Sequence, residues 1–157
     1  MRRPYHFSGG NHMQTKSRDE EMLCKICKDC KMGVESMSKL LPDVSSQDMK
    51  NMMAAQLQSY QNFASRASEL LARNGKAAED AGLFEKLPAE MGMAISRATD
   101  RSDSKTAELM INGYVMGVTE LKKQLADVSG ISEQTAKLAG DLLQFQLGAI
   151  CDMKRFL

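Results

Sequence analysis

Tryptophan is absent from this chain of 157 residues, and aromatic side chains make up only 5% of it. Proline is scarce as well, because only Pro4, Pro42 and Pro88 interrupt the sequence. No run of alternating or β-branched residues is long enough for a strand, which excludes a β-sheet protein. No apolar run approaches the roughly 18 residues of a membrane span, so no membrane span is expected.

An excess of charge of one sign is also missing. Basic residues number 21 and acidic residues 20, which gives a formal net charge of +1. This balance lacks the electrostatic signature of a nucleic-acid binder or of a protein that binds anionic membranes. The first twelve residues contain no apolar core of a secretory signal. The four cysteines are therefore expected to be free thiols in a reducing cytoplasm.

What the chain has in quantity is helical periodicity. Apolar residues make up 43% of the sequence and recur every three or four positions, as in helices packed in a bundle. The length fits a single domain that needs neither disulfides nor metals to fold. We predict an all-α domain over residues 17–157. Residues 1–16 are predicted to form a mobile tail, since Gly9-Gly10 and the polar residues around them cannot bury a face.

Helix boundaries follow from local signals. Ser17 and Glu20 form a capping box at the start of a first helix, which Pro42 ends. A second helix begins at Ser45 or Ser46 and stops before Gly75. The last helix follows its cap at Ser132. The inward positions predicted for the first and second helices are Leu23, Cys27, Cys30, Val34, Met37 and Leu41, then Met49, Met53, Gln56, Tyr60, Phe63, Ala67 and Leu70. Those of the last helix are Leu138, Leu142, Phe145, Ala149, Met153 and Phe156.

The region between Pro88 and Val128 is too long for one helix of this bundle. Residues 99–104 are all Thr, Ser, Asp or Arg, and the first three types prefer caps and turns to helix interiors. We therefore predict a short helix from Pro88 to about Thr99 and a long one from about Ser104 to Val128. The inward positions of the long helix are Ala107, Ile111, Tyr114, Val118, Leu121, Leu125 and Val128. The 29 residues from Gly75 to Asp103 then form a connection long enough to cross the whole bundle.

Two helices, a long crossover with a short extra helix, and two more helices form the plan of the ferritin-like four-helix bundle. The stretch from Ala107 to Gly117 resembles the third core helix of small bacterial ferritin-like proteins of unknown function, known mainly from spore-forming anaerobes. Residues 139–145 and 154–157 are similar to the last helix of those proteins. The resemblance covers residues 17–157 and implies the ferritin-like fold without an established activity.

Di-iron chemistry in this fold requires a Glu from each of two helices and a Glu-x-x-His pair from each of the other two. Both histidines, His6 and His12, precede the first helix, so no such pair exists. The helical acids Glu35, Glu69, Glu108 and Glu120 mostly fall off the inward positions. No di-iron site, no other cofactor and no catalysis are therefore expected.

The sharpest local motif is Cys24-x-x-Cys27-x-x-Cys30. Three thiolates within one helical arc make capture of zinc or copper(I) conceivable. The competing interpretation is core packing, since Cys27 and Cys30 fall on inward positions and unpaired cysteine behaves as a small apolar residue. Lys25, Lys28 and Lys31 either lower a thiol pKa or simply form one solvated edge of the helix. Cys24, just off the inward positions, is expected to be the exposed, reactive thiol.

The methionines and two glycines of the third long helix each allow two interpretations. The 13 methionines are assigned mainly to core filling, with a binding surface or soft-metal capture as the alternative. Gly113 and Gly117, in the middle of the third long helix, either permit close helix approach or open a small cavity.

The function that these observations favour is a non-catalytic structural or protein-interaction module. The alternative is a thiol-based metal-binding or redox protein using Cys24, Cys27 and Cys30. A homodimer is predicted because Leu143, Leu147 and Ile150 add a second apolar stripe to the last helix. The crossover segment from Leu83 to Ala98 could cover that stripe instead. Cys151 is predicted to lie far from the other three cysteines.

Overall fold

The computed structural model describes residues 16–76, 95 and 99–157. Within them the chain forms α-helices and connections, with no strand. The predicted tail, apart from Lys16, lies outside the described residues. The long helices are α1 (Arg18–Leu40), α2 (Gln47–Arg73), α3 (Asp103–Leu125) and α4 (Glu133–Lys154), and a short 3-10 helix (Leu41–Asp43) follows α1. No described helix combines the length and the apolar character that crossing a membrane requires.

Every long helix begins with the same device. The hydroxyl oxygen of a serine accepts a hydrogen bond from the backbone N–H three residues further on, which satisfies a donor that the helix itself leaves free. The predictions at Ser17 and Ser132 are confirmed, and Ser46 is the cap of α2. The third long helix begins at Asp103, one residue before the start predicted at about Ser104, and Ser102 is its cap.

The helix ends differ more from the predictions. Gly75 follows α2 at a φ of +73°, a left-handed conformation that favours glycine and stops the helix as predicted. The third helix does not reach Val128, which is 52% exposed. It ends at Leu125, since the Asp127 carboxylate accepts the N–H of Ser129 and turns the backbone away from the helical path.

Polar contacts at the helix starts define the topology. The Asp103 carboxylate accepts the backbone N–H groups of Ser45 and Ser46 at 2.8 Å each, so α3 begins beside the start of α2. Asp19 accepts the N–H of Ser132 at 2.7 Å, which places the start of α4 beside the start of α1. The pairs α1/α4 and α2/α3 therefore run parallel. Helix α1 runs antiparallel to α2, and α3 runs antiparallel to α4; these two pairs also pack most extensively.

The same contacts locate the two ends of the central connection. Lys76 after α2 lies 4.0 Å from Glu20 at the start of α1, whereas α3 begins at the opposite end of the bundle. The chain between residues 76 and 99 thus joins opposite ends. The short helix predicted from Pro88 to Thr99 lies outside the described residues, except for its end residue Thr99 and for Ile95, which is buried.

The core is apolar and methionine-rich, with side chains from all four helices and Ile95. Met49 and Met53 are completely buried and Met110 nearly so, in line with core filling, whereas Met116 is exposed. In α2 the buried position is Leu71 rather than the predicted Leu70. The largest fully buried apolar side chains are Leu23, Ile26, Met37, Met49, Met53, Leu71, Tyr114, Leu121, Leu138, Leu142 and Met153.

Candidate functional site

The cysteines of α1 lie in the helix–helix contact. Cys27 and Cys30 are fully buried, as their inward positions predicted. The Cys27 thiol donates to the carbonyl of Ala64 at 3.6 Å, and its sulfur lies 3.5 Å from the Ser68 hydroxyl. Both partners belong to α2, so Cys27 contributes to the packing of α1 on α2.

The electrostatics of these thiols oppose reactivity. Burial raises the pKa of Cys24 and of Cys27, and raises the pKa of Cys30 well above its usual range. Lys31 lowers the pKa of Cys27, as its position beside the thiol predicted, but desolvation by burial outweighs it and the net shift is upward. Lys25 is paired with Asp29 at 2.9 Å. The expected exposure of Cys24 is wrong: Cys24 is half-buried, and Cys151 is the exposed thiol.

The described residues contain no group of three or more His, Cys, Asp or Glu side chains arranged to hold a metal ion. Cys24, Cys27 and Cys30 are therefore not brought together as a ligand set. Cys151 stands about 14 Å further along the bundle axis than Cys27, since α1 and α4 run parallel and the two residues differ by nine positions from their helix starts.

At the middle of the bundle, tyrosine and glutamine side chains from α2, α3 and α4 meet. The Tyr114 hydroxyl donates to Gln56 Oε1 at 2.7 Å, and Gln146 Nε2 donates to the Tyr60 hydroxyl at 3.3 Å. The two tyrosine rings stack with their centroids 5.9 Å apart, and the Phe145 ring meets both edge-on. We call these five residues the Tyr–Gln centre.

The Tyr–Gln centre is neutral but incompletely hydrogen-bonded. Burial raises the pKa of Tyr60 and of Tyr114, so both phenols keep their protons. Gln56 Nε2 and Gln146 Oε1 are buried and have no hydrogen-bond partner among the described residues. Buried polar atoms without a partner are uncommon and costly, which marks this centre as unusual within the core.

A cleft of about 330 Å³ opens beside the Tyr–Gln centre, between α1 and α3. We call it the α1–α3 cleft. Its floor includes Tyr60 and Gln146, and its walls are mainly apolar. A Cβ on Gly33 would lie 2.6 Å from the Tyr60 ring, and a Cβ on Gly117 would lie 2.5 Å from Gln146 Nε2. Gly117 thus permits close approach, whereas a Cβ on Gly113 would meet no atom of the described residues within 4 Å, so Gly113 adds no bulk to the cleft wall.

One end of the α1–α3 cleft is charged. The Asp29 carboxylate is only 9% exposed and accepts both of its hydrogen bonds from Lys25, at 2.9 and 3.0 Å. Burial raises the pKa of Asp29, and Lys25 and Lys28 partly counter that shift. Glu120 of α3 lines the same end and pairs with Lys123 at 3.4 Å.

Solved structures share this arrangement of helices. A conserved hypothetical protein of Mycobacterium tuberculosis matches with a TM-score of 0.68 and 13% identity, over 89% of this chain and 97% of that one. A dodecameric thioferritin, the bacterioferritin-related protein of Bacteroides fragilis, matches with a TM-score of 0.66 and 8% identity, over 87% of this chain and 82% of that one. A Dps protein of Deinococcus radiodurans matches with a TM-score of 0.62 and 14% identity, over 90% of this chain and 88% of that one.

The fold is ferritin-like. No protein-family model matches the sequence, and no curated protein matches it. The likeness to bacterial ferritin-like structures therefore concerns the fold alone, and the ferritin-like fold predicted from the helix pattern is confirmed.

The donor set of this ferritin-like bundle does not fit a di-iron centre. Its buried polar side chains in the described part of the chain are amides, hydroxyls and the two phenols, all neutral. Glu69 is exposed, and Glu35 and Glu108 pair with lysines on their own helices at 2.9 and 3.0 Å. Among the described residues, the carboxylates that iron sites of this fold use do not converge at the bundle centre.

Sequence reasoning placed Gln56, Tyr60 and Tyr114 on inward faces without linking them. It did not place Gln146 inside, because the neighbouring Phe145 continued the apolar series of inward positions in the last helix. The signal that could have identified the Tyr–Gln centre is the pair of glutamines at inward or adjacent positions on α2 and α4, each close to an aromatic residue.

Proposed function

We propose that this protein is a ferritin-like bundle without iron chemistry, which acts as a non-catalytic structural or protein-interaction module of the cytoplasm. One observation carries the proposal: the Tyr–Gln centre occupies the middle of the bundle with neutral groups. Amide and phenol groups hydrogen-bonded to one another supply neither the charge nor the number of oxygen ligands that two iron ions require. The proposal places the chain among ferritin-like proteins that lack the di-iron ligands.

Iron oxidation tests this proposal. Ferrous iron is added anaerobically to the purified full chain, air is admitted, and the appearance of ferric iron is followed by absorbance. We expect oxidation no faster than in buffer with an equal concentration of serum albumin. Oxidation that is faster than this control and saturates at a fixed ratio of iron to chain would contradict the proposal.

The alternative is a thiol-based metal-binding or redox protein that uses Cys24, Cys27 and Cys30. Burial and the raised pKa of all three thiols argue against it, because a thiolate is the form that binds metal or reacts. Metal analysis and thiol titration of protein expressed and purified without oxygen distinguish the two functions. Four titratable thiols after unfolding and no bound metal support the module. One tightly bound zinc or copper with protected thiols would support the alternative.

Self-association belongs to the same proposal. One structural neighbour is described as dodecameric, and we propose a homo-oligomer for this chain, with a dimer as its simplest form. The second apolar stripe of α4, formed by Leu143, Leu147 and Ile150, is only half-buried, and Val115 on α3 is 47% exposed.

Light scattering at micromolar concentration should give a multiple of the chain mass. Val115→Lys should reduce that mass, whereas Val128→Lys, in the α3–α4 connection, should leave it unchanged. A monomer mass for the unmodified chain would contradict self-association.

A further inference from the structure

The α1–α3 cleft has a shape that the proposed module function does not explain. On α1 its wall extends from Lys25 to Leu40, which spans about 22 Å along the helix axis. A volume of about 330 Å³ spread over that length makes the cleft long and narrow. Such a space admits a rod-like molecule, and its volume lies within the range of small-molecule sites.

The cleft wall is apolar and adaptable. Met32 of α1 and Met116 of α3 both line the cleft, and the unbranched side chain of methionine adjusts to irregular ligands. Gly113 contributes no side chain at the middle of the α3 wall. The absence of this side chain leaves open a space that almost any other residue would fill.

The floor of the cleft supplies one unpaired polar group. Gln146 is only 2% exposed and lines the cleft, and its Oε1 has no hydrogen-bond partner in the part of the chain that the structure describes. Its amide lies against Gly117, where a side chain from α3 would otherwise stand. A hydroxyl group both donates and accepts, so it can satisfy whichever amide atom faces it.

The charged end of the cleft selects against ions. The carboxylates of Asp29 and Glu120 line this end, and each is already paired with a lysine, Lys25 and Lys123 respectively. A bound anion would meet two carboxylates, and a bound cation would compete with an existing ion pair.

We propose that the α1–α3 cleft is a binding site for a rod-like, neutral, apolar molecule that carries a single hydroxyl group. The hydroxyl would bond to the Gln146 amide, and the apolar body would lie between α1 and α3. This inference goes beyond the proposed function and does not depend on the bundle lacking iron chemistry.

The test uses the full chain and a fluorescent probe, N-phenyl-1-naphthylamine, which is neutral and brightens in apolar sites. We expect a saturable fluorescence increase with the unmodified protein. The probe is then displaced by three rods that share the same biphenyl body: 4-hydroxybiphenyl, biphenyl and biphenyl-4-carboxylate. We expect 4-hydroxybiphenyl to bind about 3- to 10-fold more tightly than biphenyl, the value of one hydrogen bond, and the carboxylate to bind most weakly.

Variants locate the binding. Gly113→Leu fills the cleft without a clash, since nothing lies within 4 Å of its Cβ, and should reduce probe affinity at least tenfold. Gly113→Ala changes helix propensity with little volume and should bind as the unmodified chain does. Gly148→Leu adds the same side chain on an exposed position of α4 and should also bind normally. Thermal melts followed by circular dichroism establish that all three variants are folded.

A second substitution tests the hydroxyl contact independently. Gln146→Met keeps the length of the side chain and removes its hydrogen-bonding atoms, so the preference for 4-hydroxybiphenyl over biphenyl should disappear. The proposal is overturned if the unmodified chain gives no saturable signal, if Gly113→Leu binds like Gly113→Ala, or if the carboxylate binds most tightly. Retention of the hydroxyl preference in Gln146→Met would overturn the assignment of the contact.

Discussion

At the scale of single residues, two glycines determine how the bundle centre is built. Gly33 lets the Tyr60 ring lie directly against the α1 backbone, and Gly117 does the same for the Gln146 amide on α3. The two neighbours differ in freedom. The Tyr60 ring is held between Tyr114 and Phe145, whereas an amide at the end of a flexible side chain can move.

Gly33→Ala should therefore destabilise the protein, although alanine favours helices by about 1 kcal/mol over glycine. The added Cβ would lie 2.6 Å from a ring that cannot shift, and such overpacking costs about 1–3 kcal/mol. Gly140→Ala in α4, with nothing within 4 Å, is the matched control and should stabilise by up to about 1 kcal/mol. Urea denaturation measures both free energies of unfolding. Equal stabilisation by the two substitutions would contradict the close contact.

At the scale of helices, side chains from one element cap the start of its parallel neighbour. Asp103, in the first turn of α3, accepts two N–H groups at the start of α2. Arg18 of α1 donates to the carbonyl groups of Asp127 and Ser129 ahead of α4, and Asp19 accepts from Ser132. These bonds hold the parallel pairs in register at both ends of the bundle.

Asp103→Ala should lower the free energy of unfolding by about 1–3 kcal/mol, because it removes two hydrogen bonds to a carboxylate that join different helices. Asp48→Ala in α2 is the control. It removes a carboxylate from the first turn of a helix, with an expected cost of about 0.3–1 kcal/mol through the helix dipole alone. Urea denaturation at low salt concentration compares the two variants, because urea is uncharged and leaves the helix-dipole effect unscreened. An Asp103→Ala cost no larger than that of Asp48→Ala would show that the link between α2 and α3 contributes nothing.

At the scale of the whole molecule, the parallel pairing of α1 with α4 separates the cysteines. Cys27 and Cys30 lie inside the contact between α1 and α2, whereas Cys151 is exposed near the end of α4. An all-antiparallel bundle would have brought Cys151 level with Cys27. The reactivity of the individual thiols therefore tests whether α1 and α4 run parallel.

We expect one thiol per chain, Cys151, to react fast with Ellman's reagent in the native protein. Cys24 should react more slowly, and Cys27 and Cys30 only as the bundle opens, because access and thiolate formation are both suppressed by burial. Cys151→Ser should abolish the fast phase, with Cys24→Ser as the control that retains it. A Cys27–Cys151 disulfide within one chain after mild oxidation, identified by mass spectrometry, would contradict the parallel arrangement.

The sequence alone determined the class of fold, most helix starts and the burial of two cysteines. Ser17 and Ser132 were predictable because a cap depends on residues three positions apart, and Cys27 and Cys30 because helical period assigns them to an inward face. The end of α3 was not predictable in this way, because the turn at Asp127 competes with the helix through one side-chain hydrogen bond.

What only the tertiary structure decided is which inward faces meet. Periodicity shows that Gln56, Tyr60 and Tyr114 point inward, but the hydrogen bond between Tyr114 and Gln56 joins residues 58 positions apart on parallel helices. The α1–α3 cleft likewise arises because Gly33 and Gly113 come from different helices that face each other. Local spacing determines the direction of a side chain, whereas its partner depends on the packing of the whole bundle.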